Sequence, residues 1–245
     1  MARAPIVWRF ATVNGLIDET SHAKTILLDV PGWPGHAAGQ HVDVRLTAED
    51  GYQTQRSYSI ASAPEDAEVA LTVERIDDGE VSPYLTGELR AGDELELRGP
   101  IGGHFTWRTD DGGPLLLIAG GSGLVPLMAM LRHRAVRSAT VDTRLLLSAR
   151  SLGDVFYREE LITFAAGDRL ALHHTFTRDP PSGWRGFARR IDAEMLSAVG
   201  PGPTRRPRIY ACGPTAFVER AADLLVELGH EPTTIRLERF GPTGG

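Results

Sequence analysis

At 245 residues the chain is long enough for one large domain or two modest ones, each with its own core. A formal net charge of -6 argues against nucleic acid as the general partner, although Arg132, His133, Arg134 and Arg137, and again Arg205, Arg206 and Arg208, leave room for local basic faces. The single cysteine, Cys212, excludes a disulfide framework, a cysteine-rich zinc site and a self-ligated four-cysteine iron–sulfur cluster. The opening Met1-Ala2-Arg3-Ala4-Pro5 lacks the apolar core of a signal peptide, and no apolar run reaches membrane-spanning length. The expected compartment is therefore the cytosol, with no membrane insertion.

In chain order, Ile6 to Val13 is mixed and strand-like. Lys24 to Val30 is a clearer strand, ended by the ordered turn Pro31-Gly32-Trp33-Pro34-Gly35. Gly39 to Leu46 alternates, with Val42, Val44 and Leu46 expected inward. Gln55 to Ala63 alternates again and stops at Pro64. Val69 to Ile76 alternates through Leu71 and Val73, and Asp93 to Arg98 puts Leu95 and Leu97 on one face. Six short strands between turn signals predict a six-stranded antiparallel β-barrel.

The fourth of these strands carries the chemistry. Arg56, Tyr58 and a neighbouring hydroxyl are expected close together at its working end. An arginine fork suits a phosphate and a tyrosine ring suits a flat aromatic ligand. Between the fifth and sixth strands, Asp77 to Leu85 reads as a turn and a helix start, with Ser82 as N-cap and Pro83 at the first helical position. Unpaired amides at such a start attract an anion. Gly99 to Phe105 closes this half, with His104 structural or solvent-facing.

Thr109 to Gly113 is polar and glycine-ended, which divides the chain into residues 1–110 and 111–245. Pro114 to Ala119 is then a continuous apolar run, as expected of a strand buried on both faces. Gly120-Gly121-Ser122-Gly123 and a helix from Leu124 to Val136 follow. Strand, glycine loop and helix together cradle phosphate. The loop is not the usual dinucleotide fingerprint, because Pro126 replaces the third glycine, and no Walker Lys-Ser/Thr follows. A serine hydrolase built on Ser122 fails, because Leu124 replaces the last glycine of the nucleophile elbow and no triad is placed.

Arg144 to Ser148, Leu170 to Phe176, Arg208 to Ala211 and Thr234 to Leu237 read as strands. They alternate with helices over Asp154 to Phe164, Ile191 to Val199 and the amphipathic Thr215 to Leu228. This predicts a doubly wound parallel sheet, which binds ligands at its strand carboxyl ends. Ser148-Ala149-Arg150-Ser151, Thr177-Arg178 and Cys212-Gly213-Pro214 fall at such ends. No acidic residue at the second strand end is placed to hold a free ribose 2′-hydroxyl.

Arg56-x-Tyr58-Ser59, followed by Ile60, resembles the flavin-binding signature of the ferredoxin–NADP reductase family. The resemblance implies that Arg56 holds the flavin pyrophosphate, Tyr58 packs on the isoalloxazine and Ser59 lies near flavin N5. Gly79-Glu80-Val81-Ser82 is similar to the family's second, pyrophosphate-binding signature, which favours FAD over FMN. Gly120 to Pro126 looks like its pyridine-nucleotide loop, giving Gly121, Ser122 and Gly123 to the coenzyme. Cys212-Gly213-Pro214 resembles its Cys-Gly-Pro beside the nicotinamide, where Cys212 positions and Gly213 lets the backbone approach. The closing Leu237 to Gly245 resembles the family's last segment, with Glu238 and Phe240 beside the isoalloxazine. Family members that choose NADP grip the 2′-phosphate with a serine and an arginine at the second or third strand end. Arg150 and Arg178 suit that role and favour NADP over NAD.

The family implies a barrel flavin domain and a nucleotide domain in an FAD-dependent NAD(P)H oxidoreductase. Tyr58, Ser59, Cys212 and Glu238 then form its catalytic set. Electrons would leave singly to a separate acceptor, such as a ferredoxin-like, haem or molybdenum protein, because this chain carries no metal motif. A reductase of free flavin or quinone is the alternative within the class. A non-catalytic nucleotide-binding regulatory module is the alternative outside it.

Overall fold

The computed structural model of the protein describes residues 6–167 and 170–241. Met1 to Pro5, read above for a missing signal peptide, and Pro242 to Gly245 of the closing segment lie outside the described residues.

The first half folds as β1 (Trp8–Thr20), β2 (Ala23–Asp29), β3 (His41–Thr47), β4 (Gln53–Ser59), β5 (Val69–Glu74), α1 (Ser82–Gly87) and β6 (Glu94–Ile101). Its six strands form one antiparallel sheet in the order β4-β3-β6-β1-β2-β5. Val42, Val44, Leu71, Val73, Leu95 and Leu97 close the core, as their alternation predicts. The sheet curls until its ends meet beyond β4, at the Ile60–Leu71 bridge and the 2.7 Å bond from Ala61 N–H to the Ala70 carbonyl. The barrel is therefore joined at one end of β4 and split along the rest of it.

The second half contains β7 (Leu115–Gly120), α2 (Leu124–Val136), β8 (Thr143–Ser151), α3 (Arg158–Gly167), β9 (Leu170–Asp179), α4 (Ala193–Val199), β10 (Arg208–Pro214), α5 (Thr215–Glu227) and β11 (Ile235–Phe240). The sheet is wholly parallel, in the order β11-β10-β7-β8-β9. β7 is buried on both faces. Leu115, Leu117 and Ala119 join one core with α2 and α3, and Leu116 and Ile118 join another with α4 and α5. The α2–α3 core also takes in Ala61, Ala70, Phe105 and Trp107, so apolar packing runs unbroken into the barrel.

Three expectations shift. β8 and β9 run on to Ser151 and Asp179, so Arg150 and Arg178 sit within the strand ends rather than after them. The third helix starts at Arg158 and not Asp154, because Ser151 and Asp154 close a short capped turn and Tyr157 takes a left-handed φ of 53°. Val81, not Ser82, is the N-cap residue of α1, and no side chain caps that helix. Among the described residues no helix is long and apolar enough to cross a membrane.

Candidate active site

Two glycine-lined turns meet where the sheet order reverses. Gly121 has φ 54° with open space around it, so its backbone conformation calls for glycine. Gly123 has an ordinary φ of -59° but no room: a Cβ there would lie 2.1 Å from the Cys212 carbonyl oxygen. A Cβ on Gly213 would lie 2.9 Å from the Gly120 carbonyl oxygen. The carboxyl ends of β7 and β10 are thus pressed together backbone to backbone. α2 starts there with no acidic residue in its first turn, so the positive end of its dipole is uncompensated. Ser122 is half-buried in the same turn. A pyrophosphate fits this donor set.

Across the molecule, Thr54, Arg56 and Tyr58 share the face of β4 that pairs with Leu46, Val44 and Val42. They line the split beside β4, opposite the turn before α1. Glu80 of that turn accepts from Tyr52 Oη at 3.1 Å and Thr54 Oγ1 at 3.0 Å, and lies 3.7 Å from Arg56 Nη2. A cavity of about 690 Å³ continues from this slot, with Leu46, Thr54, Glu80 and Tyr84 among its walls. Burial raises the Tyr58 phenol well above its ordinary pKa, against the opposing pull of Arg56, so the ring stays neutral. A guanidinium and an aromatic ring along one slot, beside a helix start, fit a flavin nucleotide, although the Gly79 amide of that turn is already donated to the Ile76 carbonyl at 2.9 Å.

Four expected flavin contacts change character. Ser82 Oγ accepts from the Ile76 amide at 3.0 Å, so its hydroxyl is spent holding the turn. The side chains of Ile60 and Val81 are buried in the barrel core, which leaves only their backbone to a ligand. Ser59 lies on the opposite face from Arg56 and Tyr58 by strand alternation, so the three do not cluster as expected.

Ser59 instead makes the junction between the halves. Its hydroxyl donates to Glu238 Oε1 at 3.3 Å, across 179 residues of sequence. Glu238 pairs in register with Cys212, and Cys212 with Ala119 of β7. The end of the β4 strand, the closing strand and the glycine turns therefore converge on one point. Burial pushes the Glu238 carboxyl up to about 7, against the opposing Ser59 hydrogen bond. Burial, and then the neighbouring Glu238, push the Cys212 thiol well up. Cys212 is fully buried.

The oxidoreductase FAD-binding domain model matches residues 28–107, and the oxidoreductase NAD-binding domain model matches residues 117–223. Ferredoxin–NADP reductase B of Sorangium cellulosum is 34% identical over 209 residues, covering 83% of this chain and 84% of its own. The chain belongs to the ferredoxin–NADP reductase-like family. The glycine betaine monooxygenase reductase subunit of Pseudomonas aeruginosa is 32% identical over 93% of this chain, which spans 63% of that relative's length. The crystal structure of the Amycolatopsis cytochrome P450 reductase GcoB matches with a TM-score of 0.86 at 27% identity, over all of this chain and 73% of that one.

The residues expected to meet the coenzyme are unevenly placed. Arg150 Nη2 is 3.0 Å from Asp154 and 3.8 Å from Glu74 of the barrel, so it is already engaged. Arg178 is exposed and has no ion pair with another described residue. Phe240, half-buried, ends β11 in register with Pro214 and packs on the core shared by the two halves. The two basic clusters are not open faces. Arg132 pairs with Glu160, His133 and Arg137 approach Glu65, Arg205 pairs with Asp142, and Arg208 donates to the Asp111 carbonyl. Sequence reasoning missed Glu80, although it lies inside the second flavin signature.

Proposed function

We propose that this chain is a flavoprotein reductase that carries electrons from NAD(P)H, with NADPH favoured, through bound FAD to a separate acceptor. Residues 1–110 form the FAD half and residues 111–245 the coenzyme half. The observation that carries the reading is the Ser59–Glu238 contact, which brings the flavin strand and the glycine turns to one point. FAD, when bound, supplies the conversion of a two-electron donor into single electrons. The chain's task is to orient and to exclude water.

Arg56 and the amides of Val81 and Ser82 hold the flavin phosphates and Tyr58 packs on its ring, whereas the Gly79 amide, donated to the Ile76 carbonyl at 2.9 Å, shapes the turn. Gly121, Ser122 and Gly123 hold the coenzyme phosphates, and Gly213 and Pro214 admit the nicotinamide. Glu238, poised near neutrality, holds or releases a proton at its carboxyl oxygen beside Ser59. Cys212 packs behind it and Phe240 screens the ring. Arg178 leads in recognising a 2′-phosphate, and Arg150 joins it only by leaving Asp154.

Likeness to a monooxygenase reductase subunit supports a place as the electron-donating part of a multicomponent oxygenase, with a ferredoxin-like, haem or molybdenum acceptor. A cytosolic location follows from that role. Anaerobic titration is the test: the protein should purify yellow and bleach with NADPH faster than with NADH. Arg56→Ala should weaken FAD binding about 100-fold, the scale of a lost charge-assisted fork. A colourless protein that takes up no FAD would leave only a regulatory module. Wild-type FAD affinity in Arg56→Ala would remove Arg56 from the phosphate site. An NADPH advantage that survives Arg150→Ala with Arg178→Ala would refute the 2′-phosphate assignment.

A further inference from the structure

We infer that Arg132 and Tyr157 are positioning residues that bolt the coenzyme half to the barrel wall beside β4 and so set the separation of the two ring sites. The inference rests on the reductase reading above.

Tyr157 precedes α3 with φ 53°, a region a bulky side chain occupies only where its surroundings hold it there. Those surroundings belong to the other half of the molecule. Its hydroxyl donates to Thr72 Oγ1 of β5, and Thr72 lies 2.7 Å from Thr25 Oγ1 of β2. Thr25 donates to Glu19 Oε1 of β1 at 2.6 Å, and Glu19 Oε2 accepts the Tyr157 backbone N–H at 2.9 Å. Because the Thr25 proton goes to Glu19, Thr72 must donate to Thr25 and Tyr157 to Thr72. The loop closes in one direction with every group satisfied. Three barrel strands thus grip one residue of the coenzyme half.

Arg132 completes the bolt from α2. Its Nη1 donates to the Ala61 carbonyl at 2.8 Å, two residues beyond Ser59. Its Nε and Nη2 bond Glu160 of α3 at 2.9 and 2.7 Å, and its guanidinium lies 4.9 Å over the Tyr157 ring. α2 is the helix whose start is the glycine turn, and Ala61 continues the strand that carries Arg56 and Tyr58. One side chain therefore links the helix behind the coenzyme phosphates to the strand behind the flavin. His133 at 3.0 Å and Arg137 at 3.7 Å from Glu65 extend the same seam. Neither Arg132 nor Tyr157 lines the ligand slots, so any effect on the reaction comes through the geometry they impose.

The test compares wild type with Arg132→Met, Arg132→Lys and Tyr157→Phe. In ligand-free protein, amide hydrogen exchange should quicken at Ala61 to Glu65 and at the start of α3. FAD content and coenzyme affinity should stay within about twofold of wild type. Reduction at saturating NADPH should fall about 10- to 100-fold, since an ångström of misplacement has that scale of effect. The long-wavelength charge-transfer absorbance of the coenzyme–flavin pair should fade with it. Arg132→Lys should recover part of the rate, through the Ala61 bond alone.

Variants that lose melting temperature but keep wild-type reduction and charge-transfer absorbance would overturn the proposal. If Arg132→Met does not fold, Tyr157→Phe, which removes one oxygen atom, decides in the same way. A wild-type protein that takes up no FAD overturns the reductase reading and this proposal together. Wild-type reduction with unaltered variants overturns this one alone.

Discussion

The two turns proposed as phosphate cradles are made differently. The glycine turn at the end of β7 is built by backbone packing, with Gly123 and Gly213 admitting Cys212 and Gly120 to contacts no side chain would allow. The turn before α1 is built by side chains. Ser82 ties it to Ile76, and Glu80 ties it to Thr54 and Tyr52. The first is fixed by what it cannot accommodate, and the second by single bonds that can be removed one at a time. A cradle set by excluded volume should fail abruptly, whereas one set by hydrogen bonds should loosen in steps.

The largest effect follows from that contrast. Gly123→Ala puts a methyl 2.1 Å from the Cys212 carbonyl oxygen, with backbone rather than a movable side chain in the way. It should cost on the order of 3 kcal/mol in urea denaturation and abolish coenzyme binding. Gly121→Ala meets no atom and only strains φ, so it should cost about 1 kcal/mol. Equal losses in the two variants would show that volume is not what shapes the turn.

A second, pH-dependent effect lies where the two halves join. Glu238 is raised from 4.5 to about 7 in the fold, chiefly by burial. Between those values the folded chain keeps a proton that the unfolded chain has lost. The group's stabilising contribution is thus full below about pH 4.5 and is lost as the pH rises through about 7, by roughly 3 kcal/mol at most. Denaturation midpoints of ligand-free protein should fall over this window, and Glu238→Gln should flatten the fall. An unchanged slope in Glu238→Gln would place the titrating group elsewhere.

The smallest effect tests the α1 cradle. Ser82→Ala leaves the Ile76 amide without its acceptor and should cost about 1 kcal/mol. FAD affinity should change by less than about threefold, because the hydroxyl already faces Ile76 and the proposed phosphate donors are backbone amides. A loss as large as that expected for Arg56→Ala would return the Ser82 hydroxyl to the phosphate site.

Period and punctuation carried most of the architecture. Alternation through Val42, Leu71 and Leu95 predicts the barrel strands, and the apolar run Leu115 to Ala119 predicts a strand buried on both faces, because local burial pattern follows local periodicity. The glycine turns are legible for the same reason: a phosphate cradle needs small residues at fixed local spacing. What the chain does not display along its length is which polar groups are already satisfied. Ser82 looks like a free N-cap until Ile76 is seen to claim it, and Arg132 looks like a surface charge until Ala61 and Glu160 surround it. Glu238 has nothing in its neighbourhood of sequence to mark a carboxyl poised near neutrality. Its partner Ser59 is 179 residues away, and its desolvation comes from two domains closing over it. Hydrogen-bond satisfaction and dielectric are properties of assembled surroundings, so only the tertiary structure could decide them.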